Sequence, residues 1–414
     1  MARGRSRSGD GSRRIYRSRR RTLRRAAFIA ALTVAVSAVA LAGTHFATHH
    51  ARTLPPSASG AAGLRPSATG SPAAGSPGST ASPSVTASPS ATASPRLPLA
   101  VAAWSRGDRR SLRAASAAHA LNEVDLDGWH ARPDGSLVPE SVDPAFVGEA
   151  HADHLRVFAT VTNRLNDYSA FDPAIAEAIL ATQATRARHV ARLVALCETH
   201  RYDGIDLDWE SLRAGDRASF TAFVRLLAVR LHAAAKRLSI AVYDKTSDYP
   251  TGTEAGARAA EGYRALGAAV DEFKVLTFGQ HGSFTGPGPL SAPAWVSRVL
   301  AYAESQVSPA KIYLGVPFYG FDWGQGAPRY LLWSGAQALL ATYRPTVLRS
   351  ASGEPCFHYV AGGVSHTVYY EDPVSIARKI AFAAGRRPPI AGVAIWVMGG
   401  EDPAFWPAIH RKAG

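Results

Sequence analysis

The residues Asp203-Gly204-Ile205-Asp206-Leu207-Asp208-Trp209-Glu210 alternate acidic with apolar side chains, and this alternation narrows what the chain can fold into. In a β-strand successive side chains point to opposite faces. Ile205, Leu207 and Trp209 therefore share one face, and Asp206, Asp208 and Glu210 share the other. Neighbours on one face stand only about 6.6–6.8 Å apart, and a strand gains nothing from Asp. Crowded like charges raise a carboxyl pKa, so one of the three can hold a proton near neutral pH, as a general acid must. Three such acids could also face solvent on an antiparallel edge, or bind a cation. The flanks argue against that. His189 to Leu196 reads as the end of an amphipathic helix, and Phe220, Phe223, Leu227 and Leu231 repeat at helical spacing within Asp216 to Arg237. A strand between helices is parallel and buried. Glu210 lies at its carboxyl end, where the active sites of parallel β/α barrels are built.

Seven further strand signals accompany this one. The eight are read at Leu99–Trp104, Glu123–Trp129, Leu155–Thr162, Tyr202–Trp209, Leu238–Tyr243, Phe273–Phe278, Lys311–Val316 and Gly392–Val397. Helical patterns separate most of them. The expected fold is an α/β class (β/α)8 barrel with a small α+β insertion over about 321–370, between strands seven and eight. A short helix is expected near Ser334–Tyr343. A hairpin is expected through His358-Tyr359 and Val368-Tyr369, turned by Gly362-Gly363.

The chain before the barrel has another character. The first 25 residues hold eleven Arg against one Asp, and Arg52, Arg65 and Arg96 add three charges more. With a total of +14, residues 98–414 carry only about +1. The basic character belongs to the leader, and no nucleic-acid-binding face is expected on the barrel. Ala26 to Gly43 is an uncharged apolar run of about 27 Å as a helix. It reads as a cleaved signal peptide or as an uncleaved membrane anchor, with the Arg-rich flank in the cytoplasm. Residues 44–98 form an Ala/Ser/Thr/Pro-rich spacer that repeats Thr-Ala-Ser-Pro. Such a segment cannot bury a core and is expected to be disordered. Residues 51–98 alone could reach on the order of 140 Å if extended. The expected domains are thus a basic leader (1–25), an apolar segment (26–43), the spacer, and a catalytic barrel (99–414) held outside the cytoplasm, anchored or secreted.

Cys197 and Cys356 are the only cysteines. The ordinary reading is two unpaired residues, the first buried, although a bridge between them is not excluded by spacing. No cysteine–histidine spacing suggests zinc, and no metal or cofactor is expected.

The octet resembles the DGxDxDxE motif of glycoside hydrolase family 18, the chitinase-like barrels. Lys311-Ile312-Tyr313-Leu314-Gly315-Val316-Pro317-Phe318-Tyr319-Gly320 looks like that family's seventh strand and the loop after it, and Gly392-Val393-Ala394-Ile395-Trp396 like its eighth. Tyr370-Glu371-Asp372 and Gly399-Gly400-Glu401-Asp402-Pro403 are similar to the branch of bacterial spore-cortex and cell-wall glycosidases. The resemblance implies hydrolysis of β-linked N-acetylhexosamine glycans, peptidoglycan or chitin-like, with retention and with help from the substrate itself. Glu210 would protonate the glycosidic oxygen. The substrate's 2-acetamido oxygen would be the nucleophile, Asp208 would hold the acetamido N–H, and Asp206 would keep Asp208 correctly protonated. Trp396 would be the floor on which the sugar stacks, against the plainer reading of a core Trp. Tyr319 and Trp104 are further strand-end candidates for substrate contact or for packing. The domain is expected to act as a monomer on a polysaccharide or peptidoglycan.

One segment departs from the family pattern. Its sixth strand usually ends Met-x-Tyr-Asp, and that Tyr and Asp position the acetamido group. Here Leu276, Phe278 and Gly279 stand in those places. A hydroxyl donor and a carboxylate are missing, and loss of one preorganised donor typically costs about 2.7–4 kcal/mol of barrier. Phe278 then remains as an apolar substrate contact, and Gln280 or Tyr243 are groups able to substitute. The alternative function is a weakened or inactive glycan-binding barrel.

Overall fold

The computed structural model describes residues 99–409, apart from positions 141, 168 and 250–255. The basic leader, the apolar run and the spacer lie outside the described residues. Within those described, no helix is long and apolar enough to cross a membrane.

Eight parallel strands close into a barrel: Ala100–Ser105, Glu123–Ala131, Arg156–Thr162, Gly204–Asp208, Arg237–Tyr243, Glu272–Leu276, Ile312–Pro317 and Gly392–Trp396. Each pairs with the next, and the first pairs with both the second and the eighth, so the sheet has no open edge. All eight expected strands are present, with ends shifted by one or two residues. A short strand, Leu137–Pro139, is additional and runs antiparallel to the second.

The fourth strand shows why the octet folds as it does. Its apolar face turns outward, under the helices Gln183–His200 and Arg217–Ala233. Trp209 stacks on Phe223 at 5.0 Å and 11°. Phe220, Phe223, Leu227 and Leu231 are all buried against this face, and each such burial contributes about 1.5–3 kcal/mol. The Thr182 and Thr185 side chains cap the first helix reciprocally. Gly204 is required where the strand begins, because a Cβ there would lie 2.5 Å from the Arg237 carbonyl oxygen. The acidic face therefore points into the barrel.

The barrel interior is unusually polar for this architecture, where branched apolar layers dominate. Lys274 of the sixth strand is fully buried. Its Nζ lies 2.7 Å from both Asp125 oxygens, 3.0 Å from Glu123 and 3.4 Å from Asp206. The Trp104 ring covers it at 5.5 Å.

The insertion begins at Tyr319, two residues before the expected start. It is a five-stranded antiparallel sheet: Tyr319–Trp323, Arg329–Leu332, Leu348–Arg349, Pro355–Ala361 and Val364–Tyr369. A helix, Trp333–Tyr343, packs on it. The hairpin turns at Gly362-Gly363, whose φ values are 56° and 79°. A two-residue hairpin loop with both residues left-handed needs glycine in this way. Cys197 and Cys356 are both buried and free, so no bridge links them. Burial pushes the Cys197 thiol up to about 12.

Candidate active site

The carboxyl ends of the strands converge on a cavity of about 200 Å³ bordered by Asp208 and Glu210. Its apolar wall includes Trp104, Phe278 and Trp396 from the barrel and Tyr319 from the first strand of the inserted sheet. Tyr330, from the inserted sheet, completes that wall.

The three acids of the octet have three different surroundings. Asp206 is saturated with donors. One oxygen accepts from Trp104 Nε1 at 2.8 Å and Thr160 Oγ1 at 3.1 Å; the other accepts from Ser239 Oγ at 2.7 Å and Lys274 Nζ at 3.4 Å. Asp208 is only 6% exposed, yet its Oδ1 is buried with no hydrogen-bond partner among the described residues. Burial raises its pKa well above the ordinary range; Glu210 adds to the rise, Arg164 opposes it, and Asp206 adds again. Glu210 is fixed by its backbone: Asn163 Oδ1 accepts from its N–H at 3.0 Å, and Asn163 Nδ2 donates to its carbonyl at 2.9 Å. Burial raises the Glu210 pKa too, against a hydrogen bond from Tyr243 and the charges of Arg164 and Arg258. The site thus holds two carboxyls that burial biases toward their protonated forms, one of them with an oxygen free to accept. These two properties suit proton donation and capture of an N–H.

Two charged groups near the acids were not singled out from sequence. Arg164 lies two residues past the end of the third strand and borders the cavity. Its Nη2 donates to both oxygens of buried Asp127, at 3.0 and 3.1 Å. Burial works against its charge, but Asp127, Asp208 and Glu210 hold it. Its place at a strand's carboxyl end was the available signal. Lys274 offered none, because a lysine on a strand ordinarily reads as solvent-facing.

The aromatic candidates separate into two sets. Trp396 is half-buried at the cavity, with Arg106 5.6 Å from its ring centroid. Tyr319 lines the cavity and its ring stacks on Tyr330 at 4.8 Å. Trp104 also borders the cavity but is 1% exposed and spends its N–H on Asp206, so it acts within the protein's own network. Gln280 is not brought to the cavity. Its Oε1 accepts from Ala292 N at 2.9 Å, at the start of the helix Pro293–Gln306. The expectation that Gln280 replaces the missing donor is corrected on that ground: the side chain turns to the helix start and is not among the residues that line the cavity.

Phe278 does line the cavity, its edge against Tyr319 at 6.0 Å. Gly279 is exposed and is not left-handed, so its backbone admits a side chain. A Cβ built there would lie 3.4 Å from Asp244 Oδ1. Asp244, immediately past the fifth strand, is the neighbour that a side chain at 279 would meet.

One trio among the described residues could hold a metal ion: His130, Glu140 and Asp167. Both His130 nitrogens are already engaged, Nδ1 with Thr162 Oγ1 at 2.9 Å and Nε2 with Asp167 Oδ1 at 3.0 Å. The trio is satisfied by its own hydrogen bonds and gives no argument for a metal.

Comparison with known proteins fits this geometry. Residues 155–401 match the family model described as Glycosyl hydrolases family 18. The putative sporulation-specific glycosylase YdhD of Bacillus subtilis is 27% identical over 296 residues, covering 69% of this chain and 68% of the relative. A cortical fragment-lytic enzyme of Bacillus anthracis is 26% identical over 286 residues, 67% of this chain and 65% of the relative. The solved class V chitinase of Pseudomonas fluorescens is 31% identical with a TM-score of 0.67, covering 75% of this chain and 98% of that one.

Proposed function

The chain belongs to glycosyl hydrolases family 18, and on that premise we propose that this glycoside hydrolase cleaves β-linked N-acetylhexosamine glycans, peptidoglycan or chitin-like, outside the cytoplasm and with retention. The observation that carries the proposal is Asp208: a buried carboxyl with one unpartnered oxygen, beside an acid whose pKa is raised. That oxygen accepts the acetamido N–H of the sugar. Glu210 gives its proton to the glycosidic oxygen as the bond to the anomeric carbon breaks. The acetamido carbonyl oxygen bonds to that carbon from the opposite face, giving an oxazolinium whose charge Asp208 offsets. Water then attacks the anomeric carbon, Glu210 takes its proton, and the acetamido group is restored. Two inversions give net retention.

The remaining residues support these steps. Asp206, held by four donors, keeps Asp208 oriented. Trp396 is the platform under the sugar, Tyr319 and Phe278 its side walls, and Trp104 a positioning residue for Asp206. Relatives named for spore-cortex lysis and for chitin favour an acetylated glycan. The apolar run and the spacer favour a site of action beyond the membrane, with residues 26–43 as signal or anchor.

Glu210→Gln keeps the shape and removes the transferable proton. Hydrolysis should fall by about 10²–10⁴-fold while glycan binding persists. Mass spectrometry of products from peptidoglycan and from chitin oligomers identifies the substrate, and NMR of the first-formed anomer reads the stereochemistry. Equal turnover in wild type and variant, or an inverted first product, would reject the mechanism.

A further inference from the structure

Arg106 and Arg164 stand just past the carboxyl ends of the first and third strands, and the second strand lies between them in the sheet. Its buried Asp127 carboxyl is shared by both. Arg164 Nη2 donates to the two Asp127 oxygens at 3.0 and 3.1 Å, and Arg106 Nε donates to Oδ2 at 3.2 Å. Arg164 alone balances that carboxylate, with one charge and two hydrogen bonds, so Arg106 is in excess of what burying Asp127 requires. The Arg106 side chain is 38% exposed, where an ion pair adds little to stability. One carboxylate between two guanidiniums leaves a positive charge over.

The donors left open lie at the site. Arg164 borders the cavity, and its Nη1 has no partner among the described residues. Phe171, which also borders the cavity, backs this guanidinium, with the carbon 4.9 Å from the ring centroid. Neither Nη of Arg106 has a partner among the described residues, so the end of its fork is open. The Arg106 guanidinium carbon stands 5.6 Å from the ring centroid of Trp396, the sugar platform. The turn that carries it is fixed, because Ser105 Oγ accepts from Gly107 N at 3.2 Å and Asp108 N at 3.3 Å. Asp167 also faces Arg106, but burial, then Asp127 and Glu140, raise its pKa, and its Oδ1 meets His130 Nε2 at 3.0 Å. Across the cavity Glu210 must hold its proton to act, and burial biases Asp208 the same way. A planar fork with two free ends matches a carboxylate, which accepts one N–H at each oxygen.

We propose that Arg106 and Arg164 form an anion subsite beside the catalytic acids: it takes the free lactyl carboxylate of a muramic residue, and so selects peptidoglycan strands over chitin. The inference rests on the glycosidase reading above and names its substrate. Chitin is uncharged along its length and offers the fork no partner of opposite sign. In peptidoglycan the lactyl group is either a carboxylate or, where a stem peptide is attached, an amide. The amide has no charge and a single oxygen, so only the carboxylate engages the fork at both ends. The preferred substrate is therefore a strand stripped of its peptides. The reaction that supplies it is amide hydrolysis: water cleaves the bond between lactyl group and peptide, leaving a carboxylate on the sugar and an amine on the peptide. Arg106 provides the fork and Arg164 the second charge, and neither gives up a proton.

The test uses the full chain and glycans of equal length: a muramic-containing oligomer with free lactyl carboxylates, the same oligomer as lactyl carboxamides, the same with stem peptides attached, and an N-acetylglucosamine oligomer. Wild type should cleave the carboxylate form with kcat/KM about 10–100-fold above the carboxamide form, chiefly through KM, and the ratio should shrink as salt is raised. Arg106→Gln should bring the two forms within about threefold of each other. Arg106→Lys should keep part of the preference, because it retains the charge without the fork, and Arg106→Glu should favour the carboxamide. Thermal denaturation checks the fold of each variant. Arg164→Gln should also lose the preference; it leaves Asp127 with one partner, so if it fails to fold the half-exposed Arg106 decides. Calorimetric binding in the Glu210→Gln background gives a readout independent of turnover, and there the carboxylate form should bind about 10–100-fold more tightly than the carboxamide. Equal treatment of the two forms by wild type, a preference for the peptide-bearing strand, or a folded Arg106→Gln variant that keeps the wild-type preference would overturn the inference and leave the glycosidase reading intact. If wild type cleaves none of these glycans, the glycosidase reading fails, and the calorimetric preference alone decides the anion subsite.

Discussion

Replacing Lys274 by methionine tests whether the polar interior of the barrel supports the catalytic carboxyls. Lys274 is enclosed by four acids, with Nζ 2.7 Å from Asp125, 3.0 Å from Glu123, 3.4 Å from Asp206 and 3.8 Å from Glu272. Methionine fills nearly the same volume, so the change removes charge and leaves the packing. Removing one partner from a buried ionic group typically costs about 3–5 kcal/mol. At about 2.1 cal/mol/K per residue, a domain of this size unfolds with an entropy of about 0.65 kcal/mol/K, so Tm should fall by about 5–8 °C. The deficit should depend on pH in a fixed direction. Burial works to raise Glu123, but Lys274 and Arg156 override it and hold Glu123 at about 2, below its ordinary 4.5. A carboxyl with a depressed folded pKa stabilises the fold above its unfolded pKa, and the contribution disappears as pH falls through the folded value. Without Lys274 most of that contribution is gone. The gap between wild type and variant should thus be full near neutrality and should narrow below about pH 4.5. Chemical denaturation across pH, with circular dichroism as the probe, measures it. A Tm loss under about 2 °C at neutral pH, or a gap that widens toward acid, would refute the account of Lys274 as the counter-charge of the barrel interior.

Two further outcomes are expected. Phe278→Tyr with Gly279→Asp, in the wild-type background, should not raise turnover on acetylated oligomers. The new carboxylate would meet Asp244, whose Oδ1 is 3.4 Å from the Cβ position, and disturb its pair with Arg258; a gain of tenfold or more would show that like-charge contact with Asp244 does not limit a carboxylate at this position. Removal of residues 1–97 should leave a domain with one cooperative thermal transition, because the closed sheet and its helices lie within the remainder; aggregation or loss of the transition would place the boundary elsewhere.

The sequence by itself determined the barrel and the line of three acids. Both depend on local periodicity: alternation in the strands, helical spacing in Phe220, Phe223, Leu227 and Leu231, and glycines at 362 and 363 that permit only a tight turn. Periodicity is legible because each side chain's face follows from its neighbours along the chain. The tertiary structure alone decided what surrounds the acids. Trp104, Thr160, Ser239 and Lys274 reach Asp206 from four other strands, and no spacing along the chain announces that they meet. Gln280 looked available from its position but is committed to the Ala292 backbone. The apparent loss at Gly279 could be weighed only once Asp244 was seen beside it. Strands five and six are neighbours in space, while 35 positions separate Asp244 from Gly279 along the chain. Closure of the sheet brings such residues to one cavity, and it is closure, a property of all eight strands together, that a linear reading cannot contain.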